Sequence, residues 1–155
     1  MKTLFLVRHG RPVDKEIDPK KPLSEDGKRE VEKIAGFLRK SEVRPDVIYH
    51  SGKTRAMQTA GIFYEILKCD SAPVEKAGIS PLDDPRTIAD EIASAAFNIM
   101  IVGHLPHLSR LTSLLVTGND SESIIDFRQS GAVCLQRDDE GKKYLFSWAI
   151  FPEML

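Results

Sequence analysis

Cysteine is scarce in this chain. Of 155 residues only Cys69 and Cys134 are cysteines, and they lie far apart without CxxC spacing. That argues against a disulfide or zinc framework and fits a reduced compartment. Long hydrophobic runs are also missing. The first apolar run, residues 4–7, is cut short by Arg8. No signal-peptide core and no membrane-spanning helix are therefore expected, and the location implied is cytoplasmic. An excess of positive charge is missing too: the formal net charge is −1. Nothing here provides a basic footprint for nucleic acid, and neither nucleic acid nor membrane is expected as a partner. Repeats, linkers and low-complexity stretches are likewise absent. The length favours one domain over residues 1–155, able to bury roughly 68–70% of its unfolded surface without staples.

What remains is a regular alternation of apolar runs and amphipathic segments. Strands are expected at residues 3–7, 47–49, 99–102 and, weakly, 74–76. Ser24 reads as the N-cap of a first helix, with Glu25 and Asp26 at its positive end and Val31, Ile34, Ala35 and Leu38 as its apolar stripe. A second helix, from Thr54 to about Lys68, places Ala56, Ala60, Phe63 and Leu67 on one face. Residues 86–96 read as a third helix through Ile88, Ile92 and Ala95. Pro106 opens a fourth, with Leu108, Leu111 and Leu115 inward and Gly118-Asn119 ending it. Residues 132–137 and 143–151, joined by 138–142, read as a β-hairpin that places Cys134 in the core and Phe146 and Trp148 on one face. The order predicts an α/β fold: a three-layer α/β/α sandwich with a mostly parallel central sheet and an antiparallel C-terminal edge hairpin.

Three of the strand-to-helix junctions carry polar residues that matter chemically. Arg8-His9-Gly10 follows the first strand, Ser51 and Arg55 follow the second, and Gly103-His104 follows residues 98–102. In an open parallel sheet, ligands bind outside the carboxyl ends of the strands. Two arginines and two histidines are thus aimed at one edge. Converging guanidiniums hold an anion, and phosphate fits their planar fork best. His9 beside them is the natural nucleophile, provided one ring nitrogen is unprotonated and the other donates to a backbone carbonyl. The arginines favour its neutral form. His104 can donate to a phosphoryl oxygen as charge builds, and the backbone of Ser51-Gly52 can add N–H donors. Taken singly, each residue has a plainer reading: a structural histidine, a helix cap, a solvated helix arginine. Their joint placement favours a phosphatase working through a phosphohistidine intermediate.

Arg8-His9-Gly10, Pro22-Leu23-Ser24-x-x-Gly27, Ser51-x-x-x-Arg55-Ala56-x-Gln58-Thr59-Ala60 and Gly103-His104 resemble the motifs of the histidine phosphatase (phosphoglycerate mutase-like) superfamily. Val102-Gly103-His104-Leu105-Pro106 and the tail from Ser130-Gly131-Ala132 through Phe146-Ser147-Trp148 resemble its short SixA-type phosphohistidine phosphatases. The resemblance implies that His9 is the nucleophile and that Arg8, Arg55 and His104 complete the phosphate pocket, with Ser51 beside them. It implies no cofactor. The partner it implies is a phosphohistidine-bearing protein or, as the alternative, a phosphorylated small molecule acted on by a phosphomonoesterase or mutase. A phosphate-binding module without turnover is the third reading. Lys21 stands where SixA-type proteins can carry a basic residue near the pocket, and is equally readable as a solvated loop lysine.

One departure is informative. The superfamily's small-molecule enzymes usually carry a glutamate as general acid after the third strand, whereas residues 78–84 contain none. Asp83 or Asp84 could substitute for it, but acidic residues before a helix are more often caps, and the cap reading is favoured. A missing acid matters less when the leaving group is an imidazole that carries its own proton. The loops at residues 10–22 and 80–86 are also too short for a deep lid, which suits a phosphorylated side chain displayed on another protein. The remaining histidines stand apart. His104-x-x-His107 has metal-ligand spacing, but Arg8 and Arg55 would repel a cation and no third ligand is evident, so no metal is expected. His107 is then expected to face solvent, and His50 either to pack under its loop or to line the pocket.

Overall fold

The computed structural model describes residues 2–140 and 143–155. Its elements run β1 (Lys2–Arg8), α1 (Glu25–Lys40), β2 (Val47–His50), α2 (Thr54–Leu67), β3 (Val74–Glu75), α3 (Pro85–Ala93), β4 (Ile99–Gly103), α4 (His107–Thr117), β5 (Ala132–Arg137) and β6 (Tyr144–Ile150). The strands form one sheet in the order β3-β2-β4-β1-β5-β6. β1–β4, β2–β4 and β2–β3 pair in parallel, whereas β5 pairs antiparallel with both β1 and β6. Of the connection joining β5 to β6, Gly141 and Lys142 lie outside the described residues.

The three layers follow from strand alternation. Phe5 and Val7 point to one side of the sheet and pack with Val31, Ile34, Leu38, Ala60 and Phe63 of α1 and α2. Leu4 and Leu6 point to the other side and meet Ile88 and Ile92 of α3 and Leu108 and Leu111 of α4. The apolar stripes read from the sequence are the faces that are buried. The caps hold as well: the Ser24 hydroxyl accepts the Gly27 N–H at 3.0 Å, and the Asp84 carboxylate accepts the Arg86 N–H at 3.0 Å. Gly118, left-handed at φ 83°, closes α4. α3 stops at Ala93, short of the expected Ala96. Among the described residues no helix is long and apolar enough to cross a membrane.

Two expectations fail. Phe146 and Trp148 do not share a face, because the β5–β6 register shifts between Cys134 and Leu135. Cys134 pairs with Trp148 and Leu135 with Phe146, so the bulge sends the two aromatics to opposite sides. Trp148 packs against Phe5 with ring centroids 6.1 Å apart, while Phe146 is 52% exposed. His107 does not face solvent: it is fully buried at the start of α4. The Gly78 carbonyl faces its ring without closing a hydrogen bond of normal geometry. Burial pushes its pKa down, against the pull of the Asp83 carboxylate.

Gly27 shows why a glycine is needed in the first turn of α1. A Cβ there would stand 2.1 Å from the Arg11 carbonyl oxygen, which belongs to the loop following His9 and Gly10. Arg11 cannot give way easily, because its carbonyl also accepts the Ser24 N–H at 2.9 Å. Gly27→Ala should therefore destabilise the protein by about 1–3 kcal/mol, the usual range for overpacking. Urea denaturation of the two proteins checks this, and an unchanged midpoint would show that the loop yields freely.

Candidate active site

The site lies at the carboxyl ends of β1, β2 and β4. β1 ends at Arg8, and the chain is gripped there by backbone alone. The His9 N–H donates to the Gly103 carbonyl at 3.0 Å, and the Ser130 N–H is shared between the carbonyls of Arg8 at 3.0 Å and His9 at 3.3 Å. Gly10 then passes so close to α1 that a Cβ would meet Val31 at 2.8 Å. The Gly10 N–H donates to Thr59 Oγ1 at 3.0 Å, and Thr59 in turn donates to the Arg55 carbonyl at 2.8 Å. One hydroxyl on the inner face of α2 thus ties the His9 turn to the turn that carries Arg55.

His9 is 7% exposed. Its Nδ1–H donates to the Gly10 carbonyl at 2.7 Å, and its Nε2 accepts from Arg55 Nε at a long 3.4 Å. These contacts select the tautomer that leaves the Nε2 lone pair available. Burial, opposed by the Gly10 hydrogen bond and then reinforced by the charges of Arg55, Arg8 and Lys21, lowers the His9 pKa to about 4. His104 is tilted against it, with ring centroids 4.9 Å apart. His104 Nε2 shares a hydrogen bond of 2.5 Å with Ser51 Oγ, and its Nδ1 is buried without a partner. Burial first, then His9 and Arg55, bring the His104 pKa to about 3. Both rings are neutral at neutral pH.

The arginines carry the opposite imbalance. Arg8 Nη1 donates to the Phe127 carbonyl at 3.0 Å, while its Nε is buried without a partner. Among the described residues neither Arg8 nor Arg55 has a carboxylate within ion-pair distance. Burial works against the charge of both, with only the field of Asp126 offsetting it at Arg8. Two half-buried guanidiniums with no carboxylate in ion-pair distance, beside two neutral imidazoles, make surroundings suited to an anion.

The sequence-predicted residues Arg8, His9, Ser51, Arg55 and His104 are therefore brought together. His50 is not among them: it packs under its loop, where Nδ1 accepts the Gly52 N–H at 3.1 Å. That bond takes up one of the backbone donors expected from Ser51-Gly52. Lys21, at φ 49°, contributes charge at His9. Asp83 accepts the Ser80 N–H at 2.9 Å and lines a cleft of about 420 Å³ together with Ser51. Sequence reasoning quoted Thr59 and Ser130 in motifs without giving them a role, and missed Phe127. Thr59 is legible four residues after Arg55 on the inner face of a helix; Phe127 and Ser130 act through main-chain atoms, which no residue type announces.

Residues 4–77 match the family model of the histidine phosphatase superfamily (branch 1). No curated protein sequence matches the chain significantly. Among solved structures, the protein histidine phosphatase SixA complexed with tungstate is similar at TM-score 0.87 and 23% identity, over 98% of each chain. A SixA protein from Agrobacterium tumefaciens is similar at TM-score 0.76 and 20% identity, over 96% of this chain and 97% of that one. A mycobacterial glucosyl-3-phosphoglycerate phosphatase is similar at TM-score 0.73 and 14% identity, over 96% of this chain and 99% of that one. The fold is that of the histidine phosphatases.

The neutral histidines set a pH dependence. His9 and His104 titrate lower in the folded protein, at about 4 and about 3, than the 6.5 of an ordinary histidine. Below pH 6.5 the unfolded chain binds more protons, so the stability present above that pH is lost as pH falls toward the folded values. The loss should reach up to about 1.4 kcal/mol per pH unit for each ring. Urea midpoints between pH 7 and pH 5 should fall less steeply in His9→Ala than in the wild type. Parallel curves would show that His9 is not held neutral by the fold.

Proposed function

We propose, for a chain with the histidine phosphatase fold, that the protein hydrolyses phosphohistidine on partner proteins by way of a phosphorylated His9. The observation that carries this reading is the His9 ring, with its Nδ1–H fixed on the Gly10 carbonyl and its Nε2 facing Arg55. Arg8 and Arg55 bind the phosphoryl oxygens, and His104 with Ser51 donates to them as charge shifts in the transition state. The Nε2 lone pair attacks phosphorus, the P–N bond to the substrate ring breaks, and its electron pair returns to that ring. Protonated beforehand at its other nitrogen, the substrate leaves as neutral imidazole. Water then attacks the phosphoryl group on His9, and its protons depart with the released phosphate. Because the Gly10 carbonyl keeps a proton on Nδ1 throughout, the His9 ring stays in the form that leaves readily.

The tasks of the two loop aspartates support the same substrate. Asp84 caps α3 and Asp83 accepts the Ser80 N–H, so each carboxylate has a structural task. An alkyl phosphate needs its leaving oxygen protonated, whereas phosphohistidine does not. The second reading, a small-metabolite phosphatase, draws on the position of Asp83 in the cleft beside Ser51.

Two experiments decide between these readings. Side-by-side assays should show a large preference for phosphohistidine over alkyl phosphates, with aryl phosphates of acidic phenols in between. Asp83→Asn should change phosphohistidine turnover by less than about tenfold, below the 10²–10⁴ of a true general acid. A greater loss with the fold intact would favour the metabolite reading. Arg55→Ala should lower kcat at least about 10³-fold, the low end for an arginine that stabilises a transferring phosphoryl group. Arg55→Lys should recover only part of it, since an ammonium cannot reproduce the planar fork. Full activity with lysine would reduce Arg55 to a source of long-range charge.

A further inference from the structure

Ile17 and Leu82 are the most exposed large hydrophobic side chains among the described residues, at 75% and 84% of full exposure. Single exposed apolar residues are ordinary on protein surfaces. These two are set apart by their position. Ile17 sits in the loop between β1 and α1, where its N–H donates to the Asp14 carbonyl at 2.9 Å. That loop forms one wall of a cleft of about 750 Å³ lined by Arg11, Val13, Lys21 and Gln129. Leu82 sits in the loop between β3 and α3, in the turn closed by the Asp83 N–H on the Ser80 carbonyl at 3.1 Å. The same turn walls the cleft of about 420 Å³ that contains Ser51 and Glu75.

The sheet order fixes how these clefts lie. Gln129 precedes β5, so the first cleft stands over the β1–β5 side. Ser51 follows β2 and Glu75 ends β3, so the second stands over the other side. His9 and His104, at the ends of β1 and β4, lie between them. The two apolar side chains thus belong to loops on opposite sides of the phosphate pocket, each loop walling a polar cleft. Neither joins a core cluster, so folding does not account for them.

We infer that this face receives a protein segment in which apolar side chains stand on both sides of the phosphorylated histidine, one packing on Ile17 and the other on Leu82. The inference rests on the phosphohistidine reading above and names the kind of partner that site takes. A phosphorylated metabolite held by Arg8 and Arg55 extends into the clefts at most and leaves Ile17 and Leu82 in water. A polypeptide spans both clefts and buries both side chains, giving the arrangement of aliphatic anchors among polar surroundings typical of protein interfaces.

Two phosphohistidine peptides of equal length, prepared with phosphoramidate, test this: one with leucines on both sides of the phosphohistidine, one with serines. The wild-type protein should hydrolyse the leucine peptide with kcat/KM about tenfold higher, the order of one or two apolar contacts made or lost. The double variant Ile17→Ser, Leu82→Ser should treat the two peptides alike while hydrolysing para-nitrophenyl phosphate at the wild-type rate. Equal kcat/KM for both peptides in the wild type, or a preference that survives in the double variant, would overturn the inference. Cleavage of para-nitrophenyl phosphate with neither peptide touched would remove the phosphohistidine reading itself, and the docking surface with it.

Discussion

The His9 N–H on the Gly103 carbonyl and the Ser130 N–H on the carbonyls of Arg8 and His9 grip one dipeptide between the end of β4 and the start of β5. Everything chemical in the site is measured from that grip. It sets where the His9 ring stands, from which side Arg55 reaches it, and how the Arg8 guanidinium meets the Phe127 carbonyl. Because the bonds are main-chain to main-chain, they hold whatever the charge state of the side chains. A side chain positioned in this way does not have to be ordered again when a ligand arrives.

Electrostatics at the site runs against stability. Burial neutralises His9 and His104, and it leaves Arg8 and Arg55 charged without a carboxylate partner. A folded protein without a function there would pair those guanidiniums or expose them. A bound dianion would resolve the imbalance. The same groups that make the free protein acid-sensitive are thus those that would stabilise it when phosphate binds, through mass action on the folded state.

Much of this was legible in the sequence because it depends on periodicity and on residue type. The stripes on α1 and α2, the caps Ser24 and Asp84 and the terminating Gly118 each follow from a local rule, and each local rule agrees with the sheet around it. Arg8, His9, Arg55 and His104 could be placed together because strand polarity alone puts them at one edge. The failures have a common cause: long-range geometry that no local pattern encodes. A single extra residue at the β5–β6 bulge reversed the face of Phe146. His107 starts a helix whose first turn faces the residue 78–84 loop, so its polar ring is buried where helical spacing alone suggested solvent. Backbone acceptors such as the Phe127 carbonyl have no signature in the sequence at all.

The hydrogen bond from Arg8 to Phe127 spans 119 residues. As the chain is synthesised, β1 and the two arginines emerge early, and the segment that fixes Arg8 and His9 emerges only after β4 and α4. Non-local contacts of this kind form late, because loop closure must precede them. An incomplete chain therefore carries the His9 imidazole without the contacts that hold it in the folded site. Arrival of the start of β5 is what fixes the main chain on either side of the Arg8–His9 peptide.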